Sequence, residues 1–145
     1  MRAVVQRVGK TVLSVDNRVV SEIEHGLCVF LGIKQGDSEE QAEKIAYKIS
    51  GLRIFEDANG KMNLSVKDVK GDVLLVSQFT LYGDCSHGNR PSFTMAERPQ
   101  RADELYMYCA EKLRGYGIEV KQGVFGADMK ISQFNDGPVT IILDI

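Results

Sequence analysis

The chain has 145 residues, 43% hydrophobic and 26% charged, and 18 basic against 20 acidic side chains leave a formal net charge of −2. Length and composition fit one domain, residues 1–145, with its own core; they exclude a disordered or collagen-like chain, and no apolar run reaches the ~20 residues of a membrane-spanning helix. The near-neutral charge does not suit a protein that grips long nucleic acid through its phosphates, although it leaves recognition of an RNA terminus open.

The N-terminal Met1-Arg2-Ala3-Val4-Val5-Gln6-Arg7 alternates polar and apolar residues and lacks the apolar stretch of a signal peptide, so a soluble cytoplasmic protein is expected. The runs 3–8 and 11–15 are rich in β-branched residues and predict two strands joined by a hairpin turn at Gly9-Lys10. Further strands are expected at 18–23 and 27–33, the latter apolar enough to be covered on both faces. Ser38 and Gln41 have capping-box spacing before a helix whose apolar face is Ala42, Ile45, Ala46, Ile49 and Leu52. Asn59-Gly60 is a hairpin signal, and 72–79 is another buried strand. A polar, turn-rich stretch then runs from Tyr82 to about Pro99, too long for a plain connector. A second helix follows Pro99, with Ala102, Leu105, Tyr106, Cys109 and Leu113 on one face and its end at Gly115 or Gly117. Strands at 118–125, 129–134 and 139–144 complete the chain. The fold class is α+β: a largely antiparallel curved sheet or barrel with two main helices outside it.

Two segments carry candidate chemistry. Ser77-Gln78-Phe79-Thr80-Leu81-Tyr82-Gly83 is a strand that turns polar at its end, where hydroxyls, an amide and unpaired backbone N–H groups can hold a carbonyl or stabilise an oxyanion. A strand cap facing solvent accounts for the same residues. Asn135-Asp136-Gly137-Pro138-Val139-Thr140 reads first as a turn with a trans bond, since only ~5–6% of X–Pro bonds are cis in folded proteins. It can equally aim backbone carbonyls into a pocket. Cys85 and His87, two apart in a loop, have no fixed geometry and no orienting third residue, and therefore do not make a nucleophile pair. Arg90, Arg98 and Arg101 form either a small phosphate patch or a solvated surface. Cys28, Cys85 and Cys109, with His25 and His87, match no metal-ligand spacing, so no metal or cofactor is expected.

With Met-Arg-Ala-Val-Val-Gln-Arg-Val at the start, Ser-Gln-Phe-Thr-Leu-Tyr-Gly at 77–83, Gly-Asn-Arg-Pro-Ser-Phe at 88–93 and Asn-Asp-Gly-Pro-Val-Thr at 135–140, the sequence resembles the D-aminoacyl-tRNA deacylases, first described as D-tyrosyl-tRNA(Tyr) deacylases. The resemblance spans Met1 to Ile145. It implies hydrolysis of the ester between a D-amino acid and the terminal adenosine of tRNA, and removal of glycine mischarged on tRNA(Ala). It also implies a homodimer with its sites at the subunit interface, no cofactor, and the acceptor end of aminoacyl-tRNA as partner.

On this chain the resemblance assigns Ser77, Gln78, Phe79 and Thr80 to the catalytic strand and Gly137, Pro138, Val139 and Thr140 to substrate binding. A cis Gly137-Pro138 pair from one subunit would enter the other's pocket and reject an L side chain. Arg7 would brace that loop through its carbonyls. Nothing in the sequence supplies a base for Thr80, which fits the family's substrate-assisted scheme: the ribose 2′-hydroxyl helps activate water, while N–H groups near Phe79 and Thr80 hold the oxyanion. A non-catalytic module that binds the aminoacyl-tRNA acceptor end is the alternative, and turnover separates the two.

Overall fold

In the computed structural model, which describes residues 1–145, strands β1 (Arg2–Val15), β2 (Arg18–Ile23) and β3 (Gly26–Gly32) lead into helix α1 (Glu39–Gly51). A small hairpin of β4 (Phe55–Glu56) and β5 (Met62–Leu64) precedes β6 (Asp72–Ser77) and a short 3-10 helix at Phe79–Tyr82. Helix α2 (Pro99–Gly115), β7 (Val120–Gln122) and β8 (Met129–Asp144) follow. The main sheet is ordered β2-β1-β3-β6-β7, and β8 pairs with the remaining edge of β1. One half of β1 thus lies between β3 and β8 and the other half between β2 and β8, which curls the sheet strongly.

The α+β class and the two helices hold, but the sheet is mixed. β3 pairs with β6, and β6 with β7, in parallel. Each of these connections carries a helix, and a helical crossover returns the chain in the same direction, whereas a tight turn reverses it. Gly9-Lys10 is not a hairpin turn. β1 runs straight through it, and between Val8 and Thr11 it advances three residues while β8 advances two, from Asn135 to Gln133. This is a β-bulge, to which glycine is as well suited as it is to a turn. The true first hairpin is at Asp16 and Asn17, both at positive φ (50° and 60°), as a two-residue turn between twisted strands requires. The runs 129–134 and 139–144 are likewise one strand, β8, and the run 118–125 pairs only at Val120–Gln122.

The β1 bulge reverses which face its side chains meet. Ala3 and Val5 join the large core under both helices, with Leu27, Val29, Leu31, Val73 and Leu75 of the neighbouring strands. Past the bulge Leu13 joins Val8 in a smaller core on the opposite face, with Ile23, Cys28, Leu74 and Val76. β3 and β6 therefore bury alternate residues on both sides, which accounts for their nearly continuous apolar sequence. α1 starts as its spacing predicts: Ser38 accepts from the Glu40 N–H, and Gln41 Oε1 accepts from the Ser38 N–H at 2.9 Å.

Candidate active site

β6 stays buried as far as Val76 and then leaves the sheet. Gln78 N–H still donates to the Leu31 carbonyl at 2.9 Å, and the chain winds at once into the 3-10 helix. Because that helix begins at Phe79, the N–H groups of Phe79 and Thr80 have no carbonyl one turn behind them within it. The end of this strand thus leaves two backbone donors without a partner inside the helix. The Gln78 side-chain amide donates to the Thr80 hydroxyl. Behind this wall the Tyr82 phenol lies buried without a hydrogen-bond partner, and burial pushes its pKa up to about 12.

The stretch from Gly83 to Pro99 is an ordered arm. Asp84 and Ser92 exchange backbone hydrogen bonds at 2.8 and 2.9 Å. Further on, Gln35 N–H donates to Met95 O and Glu97 N–H to Ile33 O, both at 3.0 Å, so the arm is stitched to the exit of β3. Phe93 meets Phe79 edge-on, with ring centroids 5.0 Å apart.

Between arm, strand end and the loop before β8 lies a largely apolar cavity of about 640 Å3, within the range of small-molecule sites. Ser77, Gln78 and Phe79 form one wall, Phe125 and Met129 face them, and Arg98 and Pro99 stand at the start of α2. Thr80 is exposed and outside the lining. Two carboxylates that sequence reasoning passed over, Glu97 and Asp128, also reach the cavity. Both have partners: Glu97 accepts from the N–H groups of Arg98 at 2.8 Å and Gly36 at 3.3 Å, and Asp128 pairs with Lys130 at 3.1 Å. Phe125 and Met129 fall in predicted strands, and no motif marks them as lining residues. His25 is bonded to the Val69 carbonyl, Cys28 and Cys109 are buried, and no three His, Cys, Asp or Glu side chains come together as metal ligands.

The second segment sits elsewhere on the chain. Between Gln6 and Val8, β1 advances two residues while β8 advances five, from Thr140 to Asn135, so Asp136–Val139 bulge out of the ladder. The Gly137-Pro138 bond within this bulge is cis, as the family resemblance implies and against the trans turn that the X–Pro base rate favours. A Cβ at Gly137 would lie 2.2 Å from the Val139 nitrogen, so only glycine fits this backbone. Arg7, directly opposite, is 9% exposed; its Nε donates to the Asp136 carbonyl at 2.9 Å and Nη1 to the Ile54 carbonyl at 2.7 Å. Gly137 and Pro138 are exposed, whereas Val139 turns back into the large core and the Thr140 hydroxyl accepts from Gln6 Nε2 at 3.3 Å. Gly137 through Thr140 and Arg7 all lie outside the lining of the main cavity; Arg7 and Asp136 line a separate recess of about 150 Å3. Within one chain, the two signature segments are not brought together.

The chain is similar to known proteins over nearly its whole length. The family model described as D-Tyr-tRNA(Tyr) deacylase matches residues 4–144. A relative from Thermotoga petrophila named D-aminoacyl-tRNA deacylase is 56% identical over 144 residues, covering 99% of this chain and 97% of its own. The solved structure of a c-Myc DNA Unwinding Element Binding Protein superposes with a TM-score of 0.92 at 41% identity, covering 100% of this chain and 99% of that one. A probable eukaryotic D-amino acid tRNA deacylase shares the fold, with a TM-score of 0.83 at 18% identity over 99% of this chain and 98% of that one. The chain therefore belongs to a class of ester hydrolases acting on aminoacyl-tRNA. The chain is a member of the D-Tyr-tRNA(Tyr) deacylase family.

Proposed function

We propose that this chain hydrolyses the ester of D-aminoacyl-tRNA, and of glycine mischarged on tRNA(Ala), in a cavity completed by the Gly137-Pro138 bulge of a second copy. The observation that carries this reading is the separation of the two segments. A polar strand end faces an apolar cavity of nucleoside size, while a cis Gly-Pro pair with exposed backbone stands off β8 outside its own chain's cavity. β8 pairs only with β1, leaving one long edge unpaired, and carries exposed Phe134 and Ile142, which supports a homodimer built on it.

In this reading the terminal adenosine occupies the cavity, and the ester carbonyl lies against the free N–H groups of Phe79 and Thr80, which stabilise the oxyanion. Water attacks the carbonyl carbon with the ribose 2′-hydroxyl assisting its deprotonation, and the ribose oxygen leaves with a proton. The Thr80 side chain, outside the cavity lining, takes no chemical part. Its hydroxyl accepts from Gln78, and none of its hydrogen bonds is to an imidazole or a carboxylate. Chirality is decided by backbone: the carbonyls of the Gly137-Pro138 pair occupy the space an L side chain would need, and glycine, having no side chain, passes. Arg7 holds the bulge in position from beneath. The partner is the aminoacyl-tRNA acceptor end, and the reaction needs no cofactor.

The test is release of amino acid from D-Tyr-tRNA and L-Tyr-tRNA by catalytic amounts of protein. Loss of the D-ester alone is expected. The solved structure described as a DNA-unwinding-element binding protein favours a second reading, a non-catalytic nucleic-acid module, which stoichiometric binding with neither ester cleaved would establish.

A further inference from the structure

We infer that Arg98 and Lys34 form a phosphodiester-binding rim on the cavity, which holds the backbone of the acceptor strand next to the terminal adenosine; this rests on the reading of the cavity as the aminoacyl-adenosine site. Arg98 lines the cavity at the start of α2 and is exposed. Lys34, also exposed, is bridged to Ala96 and follows Ile33, and both neighbours line the cavity. Paired residues on antiparallel strands have Cα atoms only about 4.5–5.5 Å apart, so the Lys34 ammonium is within one side chain's reach of the rim.

Neither side chain of this pair has a carboxylate within ion-pair distance, although three acidic residues lie near them in the chain or line the same cavity. Glu97 is held by the N–H groups of Arg98 and Gly36. Asp37 accepts from the Lys34 N–H at 2.7 Å and from the Met1 ammonium at 2.9 Å. Asp128 pairs with Lys130. Arg101, one helical turn beyond Arg98, is by contrast bound to Glu39 at 2.7 Å and Glu104 at 2.9 Å. Arg90 lies outside the cavity lining. Of the sequence's three candidate arginines, one remains, joined by a lysine that sequence position alone did not suggest. On a protein of net charge −2, two unneutralised cations at the mouth of a nucleoside-sized cavity provide a local attraction for the first phosphates of a single strand.

The experiment compares two substrates that differ only in phosphate: D-Tyr-tRNA and D-tyrosyl-adenosine. For Arg98→Ala and Lys34→Ala, KM on the tRNA ester is expected to rise by up to roughly fivefold each, with kcat nearly unchanged. The slope of log(kcat/KM) against log salt should flatten by about 0.7 for each phosphate left without its cation. Arg98→Lys should recover most of the activity, and Arg98→Glu should deepen the defect. The penalty on D-tyrosyl-adenosine must be clearly smaller than on tRNA. Equal penalties on both substrates, or an unchanged salt slope, would overturn the rim while leaving the deacylase reading intact. A wild-type protein inert toward both esters would remove both.

Discussion

Thr80 and Gly137 should respond very differently to the removal or addition of a few atoms. Thr80 is exposed, and its hydroxyl serves as an acceptor for Gln78. Thr80→Ala is therefore expected to keep deacylation within about tenfold of wild type in single-turnover assays. Complete loss of activity, with folding and tRNA binding intact, would instead make Thr80 the nucleophile. Gly137→Ala is the opposite case. The new methyl would meet the Val139 nitrogen at 2.2 Å, which has no room to yield unless the bulge moves. A displacement near 1 Å in a positioning element costs roughly 100-fold in rate, and that is the expected fall in kcat/KM for D-Tyr-tRNA. Kinetics equal to wild type would take Gly137 out of the site.

At the scale of elements, two irregularities in one strand pair organise the molecule. The extra residues of β8 opposite Arg7 project Gly137-Pro138 out of the ladder, and the extra residue of β1 near Gly9 transfers Leu13 from one core to the other. The helices, by comparison, are built by rule. Ser38 closes a capping box, so Ser38→Ala is expected to lower stability by roughly 0.5–2 kcal/mol without altering kcat, as read by denaturant unfolding alongside activity. An unchanged midpoint would show that packing of α1 against α2 makes the cap redundant.

The whole molecule has a prediction of its own, on the alkaline side. Burial raises the Tyr82 and Tyr106 phenols from an ordinary value of 10 to about 12, and the Cys28 and Cys109 thiols from 9 to about 12. The folded state keeps these groups neutral after the unfolded chain has begun to ionise. Their contribution is therefore complete below about pH 9 and declines progressively as pH rises towards 12. Thermal midpoints measured from pH 8 to 11 should fall along that window. Tyr82→Phe removes a buried hydroxyl that has no partner, so it should hold or raise the midpoint at pH 8 and flatten the decline above pH 10. A drop at pH 8 would mean that the phenol has a partner in solution. Size-exclusion or light scattering tests the proposed dimer: Phe134→Asp, on the exposed face of β8, should shift the protein towards monomer and lower deacylation with it.

Much of this was legible from local pattern. The capping box of α1, the apolar face of α2 and the doubly covered β3 and β6 follow from residues within a few positions of each other, because helix and strand periodicity are local properties. The two signature segments were legible as well, through their unusual mixture of hydroxyls, amide, glycine and proline. Gly9-Lys10 marks the limit. A glycine permits a turn and a bulge equally, and only the pairing of β1 with a strand more than 110 residues later decides between them. The parallel pairings of β3, β6 and β7, and the arrival of Glu97, Asp128, Phe125 and Met129 at one cavity, are of the same kind. The sequence by itself determined the elements and the chemistry they carry. The tertiary structure decided which of them meet, because contacts between distant residues are selected by burial of the whole surface and leave no periodic trace in the chain.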